Sequence, residues 1–67
     1  MEDGYLIRVS DGRAIALWVT ATGTAEEALK AVRERVSPKC EVTLTEQRVS
    51  LATLKRLGLA NGQVWHL

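Results

Sequence analysis

Few side chains in this sequence could do covalent or acid–base chemistry. There is one cysteine, Cys40, and one histidine, His66. A thiolate nucleophile needs a base within hydrogen-bond reach and a third group to orient that base. Cys40 and His66 could approach if their strands are neighbours. Cys40, however, alternates with Val42 and Leu44, and a cysteine in an apolar row behaves as a small hydrophobe. His66 stands one residue from the end of the chain, where strands fray. A zinc site wants three or four Cys, His or carboxylate ligands at suitable spacing, and scattered acids do not complete one here. Gly4, Gly12, Gly23, Gly58 and Gly62 fall at separate turns and form no phosphate-cradling run. Asp11 and Glu41 have no acidic neighbour at a spacing that suggests acid–base catalysis. The expectation is a protein without catalytic residues, metal or cofactor.

Two other groups of residues could recognise a partner. Arg48, Lys55 and Arg56 gather around a short C-terminal helical segment and could contact phosphates or an acidic surface. No aromatic residue is interleaved to stack bases, and a net charge of +1 gives little field toward nucleic acid or an anionic membrane. Trp18 and Trp65 matter more. If Ile15, Leu17 and Val19 face a helix, then Ala14, Ala16 and Trp18 face the other way, with Leu6 and Arg8 of the preceding strand. Leu6, Ala16, Trp18 and Trp65 would then form an apolar patch rimmed by Arg8. The last strand admits two registers, one with Trp65 in this patch and one with Trp65 and Leu67 buried. Exposed apolar patches mark partner sites, and Trp and Arg are enriched at binding hot spots.

The elements that must position these residues are legible. Tyr5–Val9 alternates as a strand, Asp11-Gly12 suits a hairpin turn, and Arg13–Thr20 returns as a second strand. Thr24-Ala25-Glu26-Glu27 is a capping box. Ala25, Ala28, Leu29, Val32 and Val36 then share one helical face, opposite Glu26, Lys30, Arg33 and Glu34. Ser37-Pro38 stops the helix. Cys40–Thr45 predicts a third strand that buries Cys40, Val42 and Leu44. Ser50 caps a short helix through Leu51, Leu54 and Leu57, Gly58 suits its left-handed C′ position, and Leu59 folds back as in a Schellman motif. Asn61-Gly62 turns the chain into a last strand, Gln63–Leu67.

That order, with Leu57-Gly58-Leu59-Ala60-Asn61-Gly62-Gln63-Val64 near the end, resembles the ubiquitin-like β-grasp family. The element order matches along nearly the whole chain, whereas the residue-level likeness is confined to this final segment. The resemblance implies an α+β fold: a mixed four-stranded sheet with the helix on one face and the last strand in the middle, parallel to the first. Ubiquitin-like modifiers and sulfur carriers act through an extended Gly-Gly C-terminus. This sequence has Trp65-His66-Leu67 in that place, and no catalytic residue of the family maps onto it. A carrier, or a fragment of one lacking its Gly-Gly tail, is therefore the alternative expectation, and a nucleic-acid or regulatory binder using Arg48, Lys55 and Arg56 is the second alternative. The leading expectation is a non-catalytic module that binds a protein partner or itself.

Composition bounds these readings. Sixty-seven residues, 46% apolar and 25% charged, predict one globular domain, 1–67, near the lower limit for a self-supporting core. Such a core supplies only about 3–5 kcal/mol, so dimerisation would be a natural supplement. A lone cysteine fits a reducing compartment. The start, MEDGYLIRVS, has no basic region followed by an apolar run, so no signal peptide is expected. Ala14–Val19, the longest apolar run, is too short to cross a bilayer. A cytoplasmic location is expected.

Overall fold

The computed structural model describes residues 4–67. Met1–Asp3, with the two acids that open the sequence, lie outside the described residues. The elements run β1 (Gly4–Ser10), β2 (Ile15–Thr20), α1 (Ala25–Arg33), β3 (Glu41–Val49), α2 (Leu51–Arg56) and β4 (Val64–His66).

Local chemistry sets the element boundaries. Between β1 and β2, the Asp11 carboxylate accepts from the N–H groups of Arg13 (2.8 Å) and Ala14 (2.9 Å), and Gly12 supplies a φ of 92°. These bonds tie the turn internally and hold the Asp11 carboxyl below its ordinary value, chiefly through the Ala14 N–H and then that of Arg13. The Thr24 hydroxyl accepts from the Glu27 N–H at 3.2 Å and starts α1. Regular helix ends at Arg33, before the predicted stop at Ser37-Pro38. The Arg35 N–H bonds Val32 O, tightening the exit, while Val36 still packs on the core. The Ser50 hydroxyl caps α2 by accepting from the Thr53 N–H at 3.2 Å. Gly58 (φ 74°) and Leu59 then close it as a Schellman motif, with Gly58 N–H to Lys55 O at 3.1 Å and Leu59 N–H to Leu54 O at 3.0 Å.

The sheet order is β3-β1-β2-β4, and every neighbouring pair is antiparallel. The expectation of a mixed sheet with the last strand central and parallel to β1 is corrected here: β4 is an edge strand beside β2. The cause is the turn before it. Gly62 N–H bonds Ala21 O at 2.6 Å and Ala21 N–H bonds Gln63 O at 2.9 Å, so the returning chain is fastened where β2 ends and must run back along it. β2 and β3 are each antiparallel to β1 and lie on either side of it, hence parallel to one another, with α1 as their connection. β3 is also longer than the predicted Cys40–Thr45. A bulge opposite Leu6, where the Thr45 hydroxyl donates to Leu6 O at 2.7 Å, lets the strand resume through polar Glu46-Gln47-Arg48.

Both faces of the sheet are covered, unequally. On one, Ile7 and Val9 pack with Ala28 and Val32 of α1, flanked by Trp18, Cys40, Val42 and Val64. On the other, Leu54 of α2 is fully buried against Val19 and Ala21, flanked by Leu6 and Val49. Burying one such leucine contributes about 1.5–3 kcal/mol. A single helical layer is thus only part of the architecture.

Two predicted orientations reverse. Ile7 pairs with Trp18 and Val9 with Ala16, and directly opposed residues share a face. Ala16 and Trp18 therefore point toward α1, and Ile15, Leu17 and Val19 point away from it. Both sets on β2 are apolar, so alternation alone could not choose between them. Val19 finds its burial under α2 instead of α1. Leu44, predicted to be buried, shares the face of Ile7 but remains 38% exposed on the edge strand β3.

Candidate interaction surface

Because α2 is short, it covers only one end of its face. The uncovered end is an ordered array. One row across the sheet runs Glu41, Ser10, Ile15, and the next runs Thr43, Arg8, Leu17. Leu67 extends the second row, its N–H donating to Leu17 O at 2.9 Å. Trp65 pairs with Val19 and so shares this face. Ile15 (64% exposed), Leu17 (37%), Trp65 (44%) and Leu67 (60%) leave large apolar area in water on β2 and β4. Arg8, Thr43 and Glu41 make the β1–β3 half polar.

Of the residues expected to form the patch, Leu6, Arg8 and Trp65 lie on this face and Ala16 and Trp18 do not. Leu6 is half-buried beside α2, Arg8 is exposed, and Trp65 takes the outward register. Ile15, Leu17 and Leu67 are the residues that sequence reasoning missed. The available signal was the Ser50-capped helix itself: Leu54 needs a sheet face to cover, and only the face opposite α1 is free.

The α1 side holds a shallow cleft of about 230 Å³ near the β1–β2 turn. Trp18 lines it, stacked on His66 with ring centroids 4.7 Å apart, and Cys40 lines it too. Cys40 immediately precedes β3, and His66 lies on β4, the opposite edge strand. The predicted adjacency of their strands is therefore corrected: β3 and β4 are the two edges of the sheet, with β1 and β2 between them. A hydrogen-bonded Cys–His pair does not form. Among the described residues no cluster of three His, Cys, Asp or Glu is placed to hold a metal ion.

The basic residues are dispersed by role. The Arg48 guanidinium lies 4.1 Å from the centroid of the Tyr5 ring, and its Nε donates to Gly4 O at 3.0 Å, so it braces the start of β1. Lys55 and Arg56 occupy the last turn of α2, where cations oppose the helix dipole favourably. Within the core, the Thr20 hydroxyl meets Thr22 Oγ1 at 3.3 Å, and the Thr22 hydroxyl donates to Thr24 O at 3.2 Å. This chain satisfies the buried threonines beside the α1 cap.

The site belongs to a small α+β domain: a four-stranded antiparallel sheet, one helix across one face and a shorter one over part of the other. Compared with family models, curated proteins and solved structures, the chain matches none. No helix among the described residues is long and apolar enough to cross a membrane.

Proposed function

We propose that this domain is a non-catalytic protein-interaction module that binds through the part of the sheet α2 leaves uncovered. The observation that carries this reading is the contiguous exposure of Ile15, Leu17, Trp65 and Leu67 beside Arg8. A 67-residue protein gains by burying such side chains, and leaving them in water carries a solubility cost unless a partner covers them. Trp65 and Arg8 are of the residue types that anchor interfaces. Kinship with the ubiquitin-like β-grasp family is the finer reading, supported by the order hairpin, helix, strand, short helix, strand and by the Leu57-Gly58-Leu59 cap. The edge position of β4 departs from that family's arrangement.

The test is affinity capture from the native cell with wild-type, Leu17→Glu and Trp65→Ala baits, and a Lys30→Ala bait as control on the outer face of α1. A partner retained by wild type and Lys30→Ala but lost from both patch variants supports the reading. Identical captures from all four baits would sink it.

A further inference from the structure

The stretch of chain between β3 and β4 is built as a strap over the sheet. We infer that Ser50–Leu59, with α2 in its middle, opens from the sheet as one unit while α1, the sheet and both ends of the strap stay in place. The face beneath then has two states, half covered and fully uncovered. The opening is a property of this chain alone; its use in binding rests on the reading that the face is a docking surface.

The two apolar clusters of the domain are separate. α1 packs on Ile7 and Val9 on one face of the sheet, and Leu54 packs on Val19 and Ala21 on the other, with Leu57 and Leu59 beside it. Lifting the strap dissolves the second cluster and leaves the first whole. The ends of the strap are anchored independently of α2. At one end Val49 pairs with Gly4 and Arg48 with Tyr5, and the Arg48 Nε donates to Gly4 O at 3.0 Å. At the other, Ala21 O accepts from the Gly62 N–H and the Ala21 N–H donates to Gln63 O. Between these anchors, the N–H groups of Leu54, Leu57, Gly58 and Leu59 bond carbonyls of the strap itself, those of Ser50, Thr53, Lys55 and Leu54. Such bonds shape the helix without fastening it to the sheet. A six-residue helix does not persist in water once detached, so detachment and melting are one event. Segments held in this way open below the free energy of global unfolding.

Size gives the opening a use. Ile15, Leu17, Trp65 and Leu67 alone fall short of the roughly 800 Å² that each partner contributes to a standard interface. With the strap open, Leu6, Val19, Ala21 and Val49 join them on the same face. A partner that covers the whole face binds only the open state and so draws the equilibrium toward it.

The test is native-state amide exchange of the full chain by NMR, without any partner, from 0 to about 2 M urea. After correction for intrinsic rates, the Leu57 and Leu59 amides should exchange at least about 30-fold faster than the Ile7 amide, with little dependence on urea. The Ala21 amide, held at the anchor, should stay with Ile7. Val32→Ala weakens only the α1 cluster. It should quicken exchange at Ile7 at least about tenfold and leave Leu57 and Leu59 within about twofold of wild type. Strap amides that follow Ile7 in rate and urea slope overturn the inference. So does an Ala21 amide that exchanges with the strap, because the whole C-terminal part would then peel away together. If Val32→Ala fails to fold, the wild-type urea series decides alone. The capture experiment is scored independently: a strap that opens without any patch-dependent capture would sink the docking reading and leave the opening, and the reverse outcome would leave the docking reading alone.

Discussion

Truncating Leu54 to alanine tests how α2 is held and, through it, why half of the sheet face is open. Alone, α2 is a six-residue helix, far below the about 12–15 residues at which isolated helices become marginal in water. Its Ser50 cap and Schellman close satisfy its ends but do not attach it to the sheet. Attachment falls on Leu54, fully buried among Val19, Ala21, Leu6 and Val49, with half-buried Leu57 and Leu59 packed against the same cluster. The two Leu54 methyls lie so close to Gly4 that a Cβ there would stand 3.1 and 3.2 Å from them. Leu→Ala at such a site costs about 2–5 kcal/mol, the upper part of that range where the surroundings cannot collapse. The β1–β2 hairpin beneath is locked by its own ladder, so about 3 kcal/mol is expected. A 67-residue domain has about 3–10 kcal/mol in all, so the loss is a large fraction of its stability. Urea unfolding followed by tryptophan fluorescence gives the magnitude, and amide exchange gives the location. The Leu57 and Leu59 amides, which bond Thr53 O and Leu54 O, should lose protection before the amide of Ile7. A loss below about 1 kcal/mol with α2 amides still protected would refute the claim that Leu54 is the main anchor of this helix, leaving Leu57 and Leu59 to hold it.

Four further outcomes are expected. Gly4→Ala should cost about 2–3 kcal/mol by overpacking, because its Cβ would run into the Thr20 carbonyl as well as Leu54; a neutral melting shift would count against that close approach. Gly58→Ala meets no neighbour but must hold a φ of 74°, so chemical denaturation should show a loss of about 1–2 kcal/mol. The Asp11 carboxyl should titrate below its ordinary 3.8 by NMR. Since its folded value is the lower one, its contribution to stability is present above the unfolded value and is lost as pH falls through the folded one, and Asp11→Asn should shallow that acid limb. Trp18→Ala should destabilise the fold by about 2 kcal/mol because Trp18 packs on the α1 core, whereas Trp65→Ala should change stability by under about 1 kcal/mol and act on association instead. Equal stability losses for the two would contradict the assigned faces.

Punctuation in this chain was legible because it is chemically explicit. Asp11-Gly12, Thr24 with Glu27, Ser50 with Thr53, and Gly58-Leu59 each satisfy backbone groups within a few residues, and all appear at their predicted places. The α1 core face was equally readable, since Ala28, Leu29, Val32 and Val36 have no apolar rivals on the other side of the helix. Facing and order on the sheet were less so. On β2, Ile15-Ala16-Leu17-Trp18-Val19 is apolar at every position, and a period of two conveys a face only when the faces differ in polarity. The choice was made by the register with Ile7 and by α2 burying Val19, both long-range. The β3 bulge was hidden for a related reason: Glu46-Gln47-Arg48 reads as loop, yet Arg48 is drawn onto the Tyr5 ring and the strand continues. The position of β4 depended on two hydrogen bonds from Ala21 to the Gly62-Gln63 turn, which no local pattern encodes.

The same reversal relocates the candidate site. With Trp18 outward, the patch would centre on β2 with Ala16 and join Arg8 across the middle of the sheet. With Trp18 inward on His66, the exposed apolar area moves to the β2–β4 half, and the acid and base remain on the β1–β3 half. A surface divided in this way is not uniformly sticky. A partner that lays apolar surface on the β2–β4 half satisfies it, whereas one displaced onto the β1–β3 half would set that apolar surface against Arg8 and Glu41. For the interaction module proposed, specificity would follow from the division of the face and affinity from its modest area. Reversing one charge within the polar half, as in Arg8→Glu, should therefore reduce capture of that partner in the pull-down while leaving the urea-unfolding midpoint unchanged.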